Sequence, residues 1–377
     1  MPNLQKNKIC CIFNLAPHYR SAIYKLMDKE LNCDFYFGDQ VDTPIKLMDT
    51  NELKGYKKTV KNIKIGYKSY MWQKGVVSLV FKNYKYFILT GEHNFLSSLV
   101  ISFFSRLLNK KVFLWMHGIK TEQEYYWKEK LHIYSFYNMS TAFLLYGDYS
   151  RNLMIKKGFN GKKIFCIYNS LDYDTQLIIR NGLVETKIYE NYFGNTYPVL
   201  IYVGRLQKIK KIEQILESMH KLKNEGVFCN LIIVGENADD INFSQQIAGF
   251  GLEQNIWLYG PCYKEEKIGE LIYNADVCVS PGNVGLTAMH CFVYGTPVIT
   301  HNNFENQMPE FEVIQPGING DFFIEDNLED LTEKVKTWIN LDKLKREEVR
   351  LSAYKIIDEK YNPHYQINVL KQVLSMK

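Results

Sequence analysis

Eight cysteines in 377 residues form no Cys-x-x-Cys pair and no Cys–His group at zinc-binding spacing, so neither a disulfide framework nor a structural metal is signalled. Cys10, Cys11, Cys33, Cys166, Cys229, Cys262, Cys278 and Cys291 read instead as buried free thiols in a reducing compartment. Apolar runs of the ~20 residues that a bilayer-spanning helix needs are absent. The longest candidate, FLSSLVISFFSRLL at 95–108, has 14 residues broken by serines and Arg106, and reads as a buried helix. The opening MPNLQKNKICCIFNL lacks both the apolar length and the cleavage site of a secretory leader and reads as a first strand. Charge is modest, at 23% of residues, beside 46% hydrophobic and 14% aromatic, which excludes a disordered or collagen-like chain. Neither a Walker loop nor a GxGxxG fingerprint occurs, so neither a P-loop NTPase nor a nicotinamide-binding motif is supported.

Two local absences are more informative. No acidic residue lies between Glu52 and Glu92, while Lys54, Lys57, Lys58, Lys61, Lys64, Lys68, Lys74, Lys82 and Lys85 interleave with Tyr56, Tyr67, Tyr70, Trp72, Tyr84 and Tyr86. The overall +5 is therefore uneven: residues 1–175 carry 26 Lys+Arg against 14 Asp+Glu, net +12, and residues 176–377 carry 20 against 27, net −7. A basic half suits an anionic partner, or is simply a lysine-rich solvated face. Lysines mixed with aromatics fit a lipid headgroup region; nucleic acid is the rival, but no recognition module accompanies the charge. The second absence spans 277–304, 28 residues without Asp, Glu, Lys or Arg, where Pro281, Gly282, Gly285, Gly295 and Pro297 rule out a spanning helix.

Strands alternate with helices along both halves, as in parallel sheets covered by helices. In the first half the strand candidates are 9–13, 35–37, 86–90, 112–115, 142–146 and 164–167, with helices at 21–29, 95–108, 122–138 and 149–157, the last stopped by Gly158. After a strand-free stretch at 176–197, strands recur at 199–204, 230–235, 256–260, 277–282 and 297–300. Helices are expected at 210–224, 241–248, 264–274 and 286–294, from 328 onward, and at 364–376. The pattern implies two doubly wound α/β domains with a cleft between them, and ligands in such sheets sit beyond the carboxyl ends of the strands.

Chemistry concentrates at those strand ends. Gly204-Arg205 closes a strand and is followed by Lys208, Lys210 and Lys211, cations that suit a phosphate or are a solvated helix start. SPGNVGLTAMHCFVYGTPVIT, 280–300, reads as strand, glycine loop, helix and strand, aiming the amides of Gly285, Leu286 and Thr287 at an anion such as a diphosphate.

VGRLQKIKK, then IIVGEN, LYGP and SPGNVGLTAMHCFVYGTPVI, in this order and spacing, resembles the family-four retaining glycosyltransferases of the GT-B architecture, most strongly over 196–325. The resemblance implies two Rossmann-like domains facing across a cleft. The expected layout is an N-terminal acceptor-side domain at 1–175, a connection at 176–197, a nucleotide-sugar-binding domain at 198–355 and a C-terminal helix at 356–377 that packs back on the first domain. It places the donor on Gly204, Arg205, Lys210, Gly235, Asn283, Gly285, Leu286, Thr287 and His290, with Arg205 and Lys210 on the diphosphate. Asn169 to Asp172 resembles the family's entry to the linker, and His117 in FLWMHGI stands where the family has a catalytic-cleft histidine; taken alone, such a His is more often a packed structural residue. His117, Arg205 and Lys210 are the catalytic candidates, with the departing diphosphate helping to take the acceptor proton.

One departure stands out. The family's paired glutamates, separated by seven residues, fall at Gly282 and His290, neither acidic. The variant GNVGLTAMH with YGTPVITH and QMPE is nonetheless similar to bacterial enzymes of capsule and O-antigen assembly. Asp172 and Asp174 superficially offer a metal pair, but the resemblance implies metal-independent chemistry, so no cofactor is expected. His18 and Arg20, just after the first strand, either touch acceptor or phosphate or serve local capping and packing. The expected protein is a cytoplasmic enzyme, peripheral on the inner face of the plasma membrane, that transfers sugar from a UDP- or GDP-linked donor to a glycan or lipid-linked acceptor with retention. The alternatives are a non-catalytic GT-B partner subunit and a nucleotide-sugar epimerase.

Overall fold

ICCIF at 9–13 buries every residue, because alternate side chains enter opposite faces of one sheet: Ile9, Cys11 and Phe13 join one core cluster, Cys10 and Ile12 the other. The structure is a computed structural model that describes residues 8–41, 45–66, 70–119, 121 and 127–376. In chain order the first elements are β1 (Ile9–Phe13), α1 (Ser21–Glu30), β2 (Cys33–Gly38), β3 (Tyr56–Val60), β4 (Asn62–Ile65), β5 (Tyr70–Gln73), β6 (Tyr86–Thr90), α2 (Leu96–Leu107), β7 (Lys111–Met116), α3 (Trp127–Asn138), β8 (Ala142–Leu145), α4 (Asp148–Lys156) and β9 (Ile164–Cys166). Then follow α5 (Tyr173–Gly182), α6 (Ile188–Phe193), β10 (Val199–Val203), α7 (Glu213–Asn224), β11 (Asn230–Val234), α8 (Ser244–Gly249), β12 (Ile256–Gly260), α9 (Glu265–Asn274), β13 (Val277–Ser280), α10 (Leu286–Val293), β14 (Val298–His301), β15 (Gly320–Phe323), α11 (Leu328–Ile339), α12 (Lys343–Glu359) and α13 (Pro363–Leu374).

The chain divides into two units, Met1–Asp172 with Tyr361–Lys377, and Tyr173–Lys360. Unit 1 holds a parallel sheet in the order β3-β2-β1-β6-β7-β8-β9, with β4 and β5 as a separate antiparallel hairpin. Unit 2 holds a parallel sheet in the order β12-β11-β10-β13-β14-β15. Strand order reverses between β1 and β6 in one sheet and between β10 and β13 in the other. A ligand crevice opens at such a reversal, beyond the carboxyl ends of the strands.

Four strands lie outside the alternation read from sequence. β3 (YKKTV) and β15 (GDFF) are edge strands: β3 exposes its central Lys57, Lys58 and Thr59, and an edge decorated with lysine hides its apolar signal while discouraging further pairing. The β4–β5 hairpin is similarly lysine-rich, and Tyr67 and Lys68 lie outside the described residues, as do 122–126 at the start of the expected helix 122–138.

The stretch 176–197, read as a connection, is part of unit 2 instead. It is helical and packed: Tyr189 is buried with its hydroxyl donating to Leu271 O at 2.6 Å, and Tyr192 stacks on Trp257 at 3.9 Å between centroids. At the other boundary α12 continues to Glu359, and Arg180 pairs with Asp358 at 3.0 Å inside unit 2. Only α13 and its flanks join unit 1. Asn362 caps α13 by accepting from Tyr365 N–H, and Pro363 occupies its first turn. Ile367, Leu370, Val373 and Leu374 complete the core around α1, Lys371 pairs with Glu30, and Gln366 donates to Tyr168 O at 2.9 Å.

No cysteine is disulfide-bonded, and Cys166 and Cys262 are partly exposed rather than buried. Among the described residues no helix is long and apolar enough to cross a membrane.

Candidate functional site

In unit 2 the two loops singled out by sequence meet. Beyond β10, Gly204 turns at φ +147°, and Gly235 lies so close that a β-carbon there would stand 1.8 Å from Gly204 O. Gly235 is thus required by backbone approach and Gly204 by its positive φ. Lys210 Nζ donates to the carbonyl and the side-chain oxygen of Asn283, each at 2.6 Å, and Gly282 N–H returns a bond to Lys210 O at 3.0 Å. Thr287 Oγ1 donates to Val203 O at 2.8 Å, tying the start of α10 to the end of β10. Gly285 precedes α10 at φ +54°, a conformation that favours glycine, and the helix has no side-chain cap. The first-turn amides of Leu286 and Thr287 therefore have no capping side chain.

Burial, with Arg205 beside it, pushes the Lys210 ammonium down to about 8, and buried Glu310 partly offsets this. Two cations thus lie close together beyond the carboxyl end of β10, with Lys210 tied to the loop that follows β13. Lys211 does not share it: its ammonium pairs with Glu325 at 3.1 Å and Asp326 at 2.6 Å. Lys208 is exposed.

The absent glutamate at position 282 has a steric basis. A β-carbon on Gly282 would stand 2.2 Å from Ile209 O and 2.7 Å from Lys210 Cα, so the Lys210 loop occupies the space any side chain would need. His290 is committed elsewhere: its Nε2 lies 2.9 Å from Glu265 Oε1, which also accepts from Gln176 Nε2 and Tyr294 Oη, both at 2.8 Å. Burial pushes the Glu265 carboxyl up, but these hydrogen bonds and the imidazole outweigh it and hold it down at about 2.

Unit 1 has a cavity of about 110 Å³ at its own strand reversal, lined by residues from the ends of β1, β6, β7 and β8, including Arg20, Glu92, Trp115, His117 and Tyr146. His117 Nδ1 lies 2.8 Å from Glu92 Oε1, and the His117 amide donates to the same oxygen at 3.2 Å. With Glu92 accepting at Nδ1, Nε2 carries the lone pair, the form suited to a substrate hydroxyl. His18 does not line the cavity: it is exposed, with Nδ1 3.1 Å from Lys46 O, in keeping with local packing. Among the described residues no His/Cys/Asp/Glu group is arranged to hold a metal ion, and neither Asp172 nor Asp174 belongs to one.

Sequence reasoning missed Glu92, Glu265 and Glu310. Glu92 carried a usable signal: it follows β6 by two residues, as His117 follows β7 directly, so both stand at adjacent strand ends. Glu265 and Glu310 carried none, since each reaches its partner only when segments distant in sequence fold together.

Residues 185–355 match the family described as glycosyl transferases group 1. Alpha-D-kanosaminyltransferase of Streptomyces kanamyceticus is 24% identical over 119 residues, 31% of this chain and 31% of its own length. Among solved structures, Anabaena HepE in complex with UDP superposes with a TM-score of 0.70 at 15% identity, covering 98% of this chain and 100% of that one. A glycosyltransferase from Rickettsia africae reaches 0.72 at 15% identity, covering 98% and 99%, and the lipopolysaccharide outer core galactosyltransferase WaaB reaches 0.67 at 16%, covering 97% and 99%. At these identities the likeness shows the fold, two Rossmann-like units as in GT-B glycosyltransferases.

Proposed function

We propose, from a chain whose residues 185–355 match the group 1 glycosyltransferase family, a retaining enzyme that moves a sugar from a nucleoside diphosphate sugar to a glycan or lipid-linked acceptor in surface-polysaccharide synthesis. The observation that carries this reading is the convergence of Arg205, Lys210 and the uncapped start of α10 at the strand reversal of unit 2. HepE, crystallised with UDP, supports a uridine diphosphate donor, and WaaB, a lipopolysaccharide galactosyltransferase, supports the polysaccharide setting. In the reaction the bond from the sugar's anomeric carbon to the diphosphate oxygen breaks as a bond to the acceptor oxygen forms on the same face. The acceptor proton passes to the departing diphosphate, whose charge Arg205, Lys210 and the amides of Gly285, Leu286 and Thr287 stabilise. His117, oriented by Glu92, hydrogen-bonds a sugar hydroxyl. No residue serves as a nucleophile and no metal is required.

The test is turnover and binding of UDP-, GDP- and ADP-sugars by the full chain, with and without a lipid-linked acceptor, and with Arg205→Ala as control. Absence of both turnover and nucleotide binding across the panel refutes the reading, and product formed without acceptor points to an epimerase.

The enzyme would work in the cytoplasm against an anionic membrane leaflet, through unit 1. Tyr84 and Tyr86 are buried, so they are not the aromatic contacts expected from sequence. Exposed apolar groups of unit 1 include Phe81 (65%), Phe103 (47%), Leu107 (66%) and Leu108 (45%), with Phe81 and Phe103 both packed on Phe104, and Lys82 and Lys85 exposed close by in sequence. Four lysines at about 1 kcal/mol each give useful adhesion. Liposome binding should rise with anionic lipid and fall with salt; equal binding to neutral vesicles overturns it.

A further inference from the structure

Among the described residues, Arg20 has no carboxylate partner. Its guanidinium lies over the rings of Trp115 (5.5 Å) and Tyr146 (4.9 Å) and donates to Tyr146 Oη. It forms no ion pair among the described residues, and its Nε is buried without a hydrogen-bond partner. Trp115, 3% exposed, has a buried and equally unpartnered Nε1. Both residues line the 110 Å³ cavity that also presents His117 and Glu92. The surrounding phenols cannot serve as counter-ions near neutral pH, since burial pushes Tyr146 upward and Tyr24 up to about 12. Glu92 is held by His117. A half-buried charge with no ion-pair partner among the described residues is costly in a protein that never fills the site.

We propose that the unit 1 cavity binds an acceptor sugar bearing an anionic group, a carboxylate or a phosphate, which Arg20 holds while His117 Nε2 faces a neighbouring hydroxyl. This rests on the transferase reading above and adds to it the chemical class of the acceptor. The planar guanidinium can offer its terminal nitrogens to the oxygens of a carboxylate or phosphate. The flanking Trp115 and Tyr146 rings give a sugar ring apolar faces to stack on.

Binding to the full-length protein, saturated with UDP, would be followed by saturation-transfer NMR and calorimetry. The probes are methyl β-D-glucuronide, glucose 1-phosphate and neutral methyl β-D-glucoside. The charged probes should bind about tenfold or more tighter than the neutral one, as one charge-assisted pair supplies. Arg20→Met, which keeps the aliphatic stem in the ring cage, should bring all three to the same weak affinity, and Arg20→Lys should retain part of the preference. Whichever charged probe binds better names the group as uronate or phosphate. Equal binding of charged and neutral probes by the unaltered protein overturns the proposal. So does a loss of UDP affinity in Arg20→Met equal to the loss of the charged probe, because the anion would then be the donor's own phosphate. Failure of the unaltered protein to bind UDP would instead count against the transferase reading, which separates the two.

Discussion

Lys210 should make diphosphate binding depend on pH above neutrality. Its ammonium, pushed down to about 8 by burial and by Arg205, loses its proton in the empty site just where many assays are run. A bound diphosphate would restore it toward the ordinary lysine value of ~10.4, so binding takes up a proton across this interval. Between pH 7.5 and 9.5 the protonated fraction of the empty site falls from about three quarters to about 3%, while the occupied site stays charged. The affinity should therefore drop roughly twentyfold, or ~1.8 kcal/mol. Calorimetric titration of UDP at both pH values, in two buffers of different ionisation enthalpy, measures the affinity and the proton uptake together. Lys210→Arg keeps a cation that does not titrate, and any slope it retains belongs to the ligand itself. Glu310→Gln, by removing the carboxylate that favours the charged form, should move the break to lower pH. The same slope in Lys210→Arg as in the unaltered protein, without proton uptake at pH 8.5, would refute the reasoning.

Gly282→Glu should not recover a missing acid: with Ile209 O at 2.2 Å from the new β-carbon, it should cost about 2 kcal/mol or more and weaken UDP binding, read from the urea midpoint at unchanged slope. Glu92→Gln removes the charge that fixes the His117 tautomer and should lower turnover about 10- to 100-fold while leaving UDP affinity unchanged; equal losses in both would assign Glu92 to folding. Glu265 lies lower in the folded protein, about 2, than the ordinary 4.5, so its contribution is complete above about pH 4.5 and is lost as pH falls toward 2. Discounted for a carboxylate one-third exposed, it amounts to roughly 2 kcal/mol, and Glu265→Gln should flatten this part of the acid limb of stability against pH.

The buried central strands were readable from sequence because both faces of each sheet demand apolar residues, and runs such as ICCIF and NLIIV have no other use. The donor loops were readable because consecutive residues make them: Gly204 to Lys210, and Gly282 to Thr287. What escaped reading was assembled from separated segments. Glu92 meets His117 only through the parallel pairing of β6 with β7, and Glu265 meets His290 only when α9 packs beside α10. The glycine at 282 looked like a lost side chain; its cause, the Lys210 backbone, comes from 72 residues earlier.

The return of α13 to unit 1 has a consequence for how the chain is made. The face of the first sheet around α1 stays open until Ile367, Leu370, Val373 and Leu374 arrive, and these are translated after every residue of unit 2. At ribosomal rates of ~5–20 residues per second, unit 1 waits roughly ten seconds or more with that apolar face uncovered while unit 2 is synthesised and folds between its two parts. Order of synthesis is thereby reversed in order of completion: the unit that begins first is finished last, and loss of α13 would damage the half of the molecule built from β1 to β9.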